Sequence, residues 1–594
     1  MASQNGSERQ NATALIEWIS GPVLRARSED PFQINEAVLV GDRRLLGEVI
    51  RIQGAEIVVQ IYESTSGLRP GVLVQGTGLP LSIRLGPGLL GGIFDGLLRP
   101  LFGAQSHYVQ AGMYTQPGKT FHFKPLVQNG QQLDPGSRVG ELRAAEGKPQ
   151  YCLLPPDLQG RVLQILPEGD YSDTQAIGTL EATDGGQHDI AMSHLWPVRL
   201  PRPITERLPA DSPLITGQRV LDSLFPIARG GRAVLPGGFG TGKTVLQETL
   251  AKWAAADIIV YVGCGERGNE MTGILHEFAA LQDPKTNRPL LERTVIIANT
   301  SNMPVAAREA SIYTGVTVAE YYRDQGLHVA LMADSTTRWA EALREISGRL
   351  GELPGEGGYP PYLSSRLAEF YERAAHVRCL DGSLGSLTII GAVSPPGADL
   401  SEPVSMHTKR YVRSFWALDR GRAHARFYPA IDPLQSYSED IPVLESWWRD
   451  NGNPQWASDR RRFLTLLEQQ AHLERMARII GKDVLPPRQQ VTLLAASLIN
   501  EGFLRQSAYS PVDRFASPAR QGTMMRIIVR LAELAEQAVD AGASADEIGG
   551  LPVFRKLERM AEEIPEGSED QFRQLSAEME SAFATLLEKG DHAR

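Results

Sequence analysis

Gly237-Gly238-Phe239-Gly240-Thr241-Gly242-Lys243-Thr244 fits G-x-x-x-x-G-K-[ST], the pattern of a phosphate-binding loop. Its glycines let the backbone turn tightly and aim N–H groups at phosphate oxygens. Lys243 then sets a positive charge against β- and γ-phosphates, and the Thr244 hydroxyl can ligate Mg²⁺. The flanks agree with the motif. Arg232-Ala233-Val234-Leu235 is an apolar run that ends at Pro236 and predicts the preceding strand. Val245 to Trp253 predicts a helix whose N-terminus faces the phosphates. A glycine-rich connector is the bland alternative, and it does not account for a strand on one side and a helix on the other. Gly237 through Val245, with Phe239 and Thr241 among them, are therefore the predicted contacts of a nucleoside triphosphate.

Outward from the loop, the chain alternates strand-like and helix-period segments from about residue 205 to 435. Apolar runs at Ile258–Val262, Thr294–Ala298, Val329–Met332 and Leu387–Ile390 give the rhythm of a parallel sheet covered by helices. Upstream, Glu36–Val40, Leu46–Ile52 and Glu56–Tyr62 are short strands separated by turn residues, which predicts a small β-barrel between Ala14 and Gly78. Gly86 to Phe102 reads as irregular and glycine-rich. A second β-rich stretch from about 118 to 197 carries turns at Gln128-Asn129-Gly130, Asp134-Pro135-Gly136 and Asp184-Gly185-Gly186. From Pro454 onward strand patterns stop, and Arg460–Ile480, Gln489–Gly502, Gln521–Ala541 and Gln571–Lys589 have helical periodicity. Residues 1–12 read as polar and frayed.

Composition narrows the function. The chain has 594 residues, 60 Lys plus Arg against 70 Asp plus Glu, and a net charge of −10. That balance argues against a nucleic-acid surface. Three scattered cysteines, Cys152, Cys264 and Cys379, have no metal-ligand spacing and indicate a reducing compartment. Met1 to Gly6 holds no apolar signal core, so export is not expected. Leu85 to Phe102 is broken by glycines, Pro87, Asp95, Arg99 and Pro100, too often to span a bilayer.

Two acidic positions complete the predicted chemistry. Glu266 follows the strand Ile258–Val262 within Gly263-Cys264-Gly265-Glu266-Arg267-Gly268-Asn269-Glu270. A carboxylate there can orient an attacking water; Arg267 can neutralise γ-phosphate charge, and Glu270 can hold a Mg²⁺-bound water. An exposed ion pair in a turn is the plain alternative for Glu266-Arg267. Asp334 ends the apolar run Leu327–Ala333, as a Mg²⁺-binding carboxylate does; an Asp capping a helix would read the same. Cys264, beside the turn, reads as a small buried hydrophobe. Tyr428 and Tyr509 can stack on a base, although a single Tyr more often packs in a core or on a surface.

These residues together resemble the catalytic A (alpha) subunit of bacterial V/A-type rotary ATPases. The resemblance rests on Gly86 through Leu101, on Gly265 through Met271, and on Ala333 through Glu341 continuing to Gly355 through Leu363. Ser394 through Asp399 and Ser401 through Val404 fit the same family, and the likeness runs from about residue 15 to the end. It implies a multidomain fold: an N-terminal β-barrel (12–79), an α/β P-loop, RecA-like nucleotide-binding domain (80–117 and 198–447), a β-rich insertion (118–197) and a C-terminal α-helical domain (448–594). It implies ATP/ADP and Mg²⁺ as ligands and Tyr428 and Tyr509 as adenine neighbours. It further implies a non-catalytic B-type subunit, three copies of each alternating in a ring, with an arginine finger supplied in trans. Central and peripheral stalk subunits and, indirectly, a membrane rotor would complete the assembly, with this chain cytoplasmic and peripheral to the plasma membrane. A self-assembling secretion-type hexameric motor is the rival reading; such chains are generally shorter and lack the insertion, as do F-type β subunits. A regulatory nucleotide-binding role is a third, which intact Lys243, Thr244, Glu266 and Asp334 disfavour. The chain departs from the family pattern at Gly237-Gly238, where Gly-Pro or Gly-Ala is usual, and at Thr241, where vacuolar relatives have Cys. It departs again at Met406–Arg410 and at Tyr428–Pro433, which reads more like the F-type β segment.

Overall fold

Glu36-Ala37-Val38-Leu39-Val40 forms a strand whose Val38 and Val40 point into a closed six-stranded antiparallel barrel. The order around the barrel is Thr13–Ser20, Val23–Arg27, Glu56–Ile61, Leu45–Gln53, Glu36–Val40 and Leu73–Pro80, the last pairing back to the first. Ala14, Ile16, Leu24, Val38, Val49, Val59 and Val74 fill its interior. The computed structural model describes residues 12–101, 119–142, 150–183, 185–283, 286–481 and 484–592. The expected fraying of residues 1–11, the end of the 86–102 segment and Asp184 of the third insertion turn lie outside these.

The described chain divides into two compact units. The first comprises residues up to Leu208, Ala256–Gly391 and Ser401–Tyr411. Besides the barrel it holds a β-rich insertion of two four-stranded antiparallel sheets around Phe123, Val139, Cys152, Val162, Ile177 and Leu180. Its central layer is parallel, in the order Leu384–Val393, His328–Asp334, Ile258–Cys264, Thr294–Asn299 and the short Ile93–Phe94. The four long strands are buried at nearly every position, as in a parallel sheet covered by helices. The 19-residue helix Val305–Arg323 is buried at nearly every position. Gly263 pairs with Asp334 in the register of the two central strands, so both strands deliver their following residues to the same edge.

The second unit comprises Pro209–Ala255, Ala392–Leu400 and the chain from Val412 onward. Here Arg232–Pro236 runs parallel to Ser414–Phe415, which pairs with Tyr437–Ser438. The helices Ile441–Asp450, Trp456–Ile480, Pro487–Ile499, Pro518–Asp540, Ala545–Gly549, Pro552–Glu563 and Glu569–His592 follow. Trp448 and Trp456 stack at 5.3 Å in the core where the first two meet. Arg219 is buried and donates to Phe503 O, Arg505 O and Asp513 Oδ1, tying the segment before the P-loop strand to the helical part.

The fold class is as the sequence indicates, with several local differences. The strands Thr13–Ser20, Val23–Arg27 and Leu73–Pro80 were not individually legible, the last holding two glycines and ending on proline. The glycine-rich segment after Leu85 is not wholly irregular: Ile93–Phe94 joins the parallel sheet. The helix expected from Arg460 begins at Trp456, and that expected from Gln489 ends in a π-turn at Asn500–Leu504. Ala545–Gly549 and Pro552–Glu563 add two helices to those expected. Among the described residues no helix is long and apolar enough to cross a membrane.

Candidate functional site: the phosphate loop and the acidic strand ends

The strand Arg232–Pro236 ends where the motif begins, and the helix Lys243–Trp253 starts at its lysine. Gly240 and Gly242 have φ of +78° and +83°, a region that side chains with a Cβ avoid. A Cβ on Gly242 would also lie 3.0 Å from Tyr428 Cε1. Thr241 closes the loop by donating from Oγ1 to Gly238 O at 2.8 Å. Gly237 N donates to Val393 O at 3.0 Å, so the loop leans on the segment that carries Ser394. The Lys243 ammonium donates to Ser394 Oγ. Thr244 is half-buried in the first helical turn, Val245 is exposed, and Phe239 is 82% exposed.

Tyr428 lies against Gly242 and is 41% exposed. Its carbonyl accepts from Gln506 N at 2.9 Å, which brings the 503–509 segment to it. Tyr509 is 85% exposed. The structure thus brings Tyr428 onto the loop, and joins the segment of Tyr509 to Tyr428 through the backbone.

In the other unit, one central strand ends in Asp334 and its neighbour, Ile258–Cys264, leads into Glu266 two residues on. Asp334 is 1% exposed and accepts from the Tyr261 hydroxyl at 3.5 Å. The helix after it, Thr336–Leu350, is capped by Ser335, whose Oγ accepts from Arg338 N. Helix capping therefore does not explain Asp334, because its neighbour performs it. Glu266 is half-buried, and Arg267 is exposed at the N-cap of the helix Gly268–Ala280. Glu270 sits in that helix's first turn. Arg338 donates to Glu341 at 2.9 Å; this bond, with the charges of Glu341, Glu266 and Glu270, holds its guanidinium above the ordinary arginine range. Burial pushes the Cys264 thiol up to about 12, so it is a buried apolar group rather than a nucleophile.

Ser394, Arg308 and Arg338 are polar neighbours of these positions that sequence reasoning left unassigned. Arg338 stands four residues after Asp334 in a quoted motif, and Ser394 opens another; Arg308 carried no signal. The Asp334 carboxylate, buried at its strand end, is a hard oxygen donor of the kind Mg²⁺ takes. Among the described residues no cluster of three His, Cys, Asp or Glu side chains forms a self-sufficient metal cage.

A P-loop between a parallel strand and a helix, in a chain that also holds a closed barrel and a run of C-terminal helices, defines a nucleotide-binding ATPase subunit. Comparison with known proteins narrows this. The ATP synthase alpha/beta family nucleotide-binding domain matches residues 217–438, and the C-terminal domain of V and A type ATP synthase matches 445–548. The alpha/beta subunit barrel-sandwich domain matches 115–199, and the family's β-barrel domain matches 16–78. The V-type ATP synthase alpha chain of Halothermothrix orenii is 48% identical over 96% of this chain and 98% of its own length. The A subunit of the A-type ATP synthase of Thermococcus sibiricus is 48% identical over 94% of this chain and 98% of its own, and that of Methanopyrus kandleri 47% over 97% and 98%. The assembled type III secretion ATPase EscN of enteropathogenic E. coli has a TM-score of 0.62 and 25% identity, covering 87% of this chain and 100% of that one. The chain belongs to the A (alpha) subunits of V/A-type ATP synthases, the ATP-binding, ATP-hydrolysing or ATP-synthesising subunits of that family. The secretion ATPase is a more distant relative.

Proposed function

We propose that this protein performs its ATP chemistry with the residues read from the sequence in the following roles. Backbone N–H groups of Gly237 to Val245 cradle the phosphates, with Phe239 and Thr241 shaping the loop, and Lys243 neutralises β- and γ-phosphate charge. Thr244 and Asp334 hold Mg²⁺, and Glu270 reaches it through water. The ion supplies charge stabilisation on the phosphate oxygens. Glu266 orients the attacking water and Arg267 offsets γ-phosphate charge. Tyr428, with Tyr509, borders the adenine. The observation that carries this reading is the pairing of Gly263 with Asp334, which sends the Glu266 turn and Asp334 to one sheet edge. Ligands in open α/β sheets bind at that carboxyl edge.

In this reading the domains run 12–79, 80–117 with 198–447, 118–197, and 448–594. The chain alternates with a non-catalytic B-type subunit in a ring of three copies each, and that partner donates an arginine finger. Stalk subunits connect the ring to an ion-translocating membrane rotor, with this chain on the cytoplasmic face. The test is to purify the chain alone, record its oligomeric state and ATPase rate, and then add the B-type subunit. The expected result is ATP binding with slow turnover, raised about 10³–10⁵-fold by the partner's arginine. A stable homohexamer with full activity of its own would favour the self-assembling motor.

A further inference from the structure

We propose that Arg308 is the positioning residue for the Glu266 carboxylate. The inference rests on the role given to Glu266 above. The Glu266 turn is tied to a neighbouring segment: Gly265 N donates to Asn299 O at 2.6 Å, and Ser301 N donates to Glu266 O at 2.9 Å. That segment, Asn299 to Pro304, links the strand Thr294–Asn299 to the helix Val305–Arg323. Arg308 stands in the helix's first turn, and its Nη2 donates to Ser301 O at 2.9 Å. Ser301 is thus gripped on both sides, its N–H by Glu266 and its carbonyl by Arg308.

The same side chain also meets the turn directly. Gly265 has φ +74°, and a Cβ placed there would lie 3.0 Å from Arg308 Cδ and 3.2 Å from Arg308 Nε. The Arg308 stem, with Arg338 Cβ nearer still at 2.7 Å, therefore occupies the space that only a glycine leaves open. On the opposite side, Arg308 O accepts from Ser311 Oγ at 2.8 Å and from Cys264 Sγ at 3.5 Å, which fixes the base of the side chain to the strand end. One residue in this way joins Cys264 and Gly265, which lead into Glu266, and Ser301, which holds its carbonyl. Its Nη2 holds a backbone carbonyl of the segment that ties down Glu266, and its effect on the reaction is inferred to run through that carboxylate.

Placement within about 0.5 Å is what a water-orienting group requires, and a misplacement near 1 Å can cost about 100-fold. Arg308→Ala in the assembled enzyme is expected to lower kcat about 10- to 100-fold while leaving nucleotide affinity unchanged. Arg308→Lys, which keeps the stem and one donor, is expected to restore part of that loss. Glu266→Gln should abolish turnover with binding intact, and the double variant Glu266→Gln/Arg308→Ala should be no slower than Glu266→Gln alone. Wild-type turnover in Glu266→Gln would overturn the role of Glu266 and the inference with it. Loss in Glu266→Gln with normal kcat in Arg308→Ala would overturn the inference alone. Where Arg308→Ala fails to assemble, the lysine variant decides: a kcat loss matched by lost nucleotide affinity, or one that adds fully to the loss in Glu266→Gln, overturns the positioning role.

Discussion

The Lys243 ammonium donates a hydrogen bond to Ser394 Oγ, a side chain 151 positions along the chain. At this contact the lysine meets a neutral hydroxyl, which phosphate oxygens can replace. A carboxylate at Ser394 would compete with nucleotide for the same charge.

Lys243→Ala should abolish turnover and weaken Mg-ATP binding. Charge-assisted hydrogen bonds contribute about 1.5–3 kcal/mol each, so losing two phosphate contacts weakens affinity about 10²–10⁴-fold. Titration with a fluorescent ATP analogue measures it. Wild-type affinity in the variant would remove Lys243 from the phosphate site.

Gly238 and Ala398 form a coupled pair. A Cβ on Gly238 would lie 3.2 Å from Ala398 Cβ, and Ala398 itself holds φ +63°. Gly238→Ala should therefore lose stability, by about 1–3 kcal/mol for an overpacked contact. Ala398→Gly removes both the crowding and the left-handed strain, so the double variant should recover. Denaturant midpoints of the four proteins give the coupling, and additive effects would refute it.

Arg199 joins the barrel to the helix Val305–Arg323 of the first unit. It donates to Glu48 Oε2 and to Glu309 Oε2, each at 2.9 Å, and Tyr62 donates to Glu48. Burial disfavours its charge, but Glu309 and Glu48 outweigh burial and hold the guanidinium protonated well above its ordinary range. Arg199→Met leaves two buried carboxylates without a cation, and should destabilise by about 3–5 kcal/mol. Thermal unfolding should show an earlier transition; an unchanged melting profile would mean that water reaches the pair.

Asp459 gives a pH dependence. Burial pushes its carboxyl up to about 6, with Arg526 opposing and Glu533 adding to the shift. The folded state therefore keeps a proton that the unfolded chain, with a carboxyl near about 3.9, has released. That proton's contribution is full below about pH 4 and is lost as pH rises to about 6. Asp222, also pushed up to about 6 by burial, titrates in the same window, so the readout is the difference between wild type and Asp459→Asn. The variant should gain relative stability between pH 4 and 6, then run parallel to wild type. A pH-independent difference would contradict the shift.

The amino-acid sequence determined whatever is built from neighbours along the chain. The glycine pattern at 237–242 specifies its own loop, and Ile258–Val262 and Val329–Met332 are so uniformly apolar that they must be buried strands. With those strands came the positions of Glu266 and Asp334, since each is the first acidic residue past a strand end. Tertiary structure alone decided the rest. Strands Thr13–Ser20 and Leu73–Pro80 mix exposed and buried residues, and pairing around the barrel, not local propensity, makes them strands. The two compact units divide at 255/256 and 391/392, inside the segment that the sequence reads as one domain. Ser394 at Lys243, Arg308 at the Glu266 turn and Ser335 as the helix cap beside Asp334 are contacts of side-chain geometry. A hydroxyl or a guanidinium has no periodicity to reveal its partner, so only the folded chain shows which backbone group it holds.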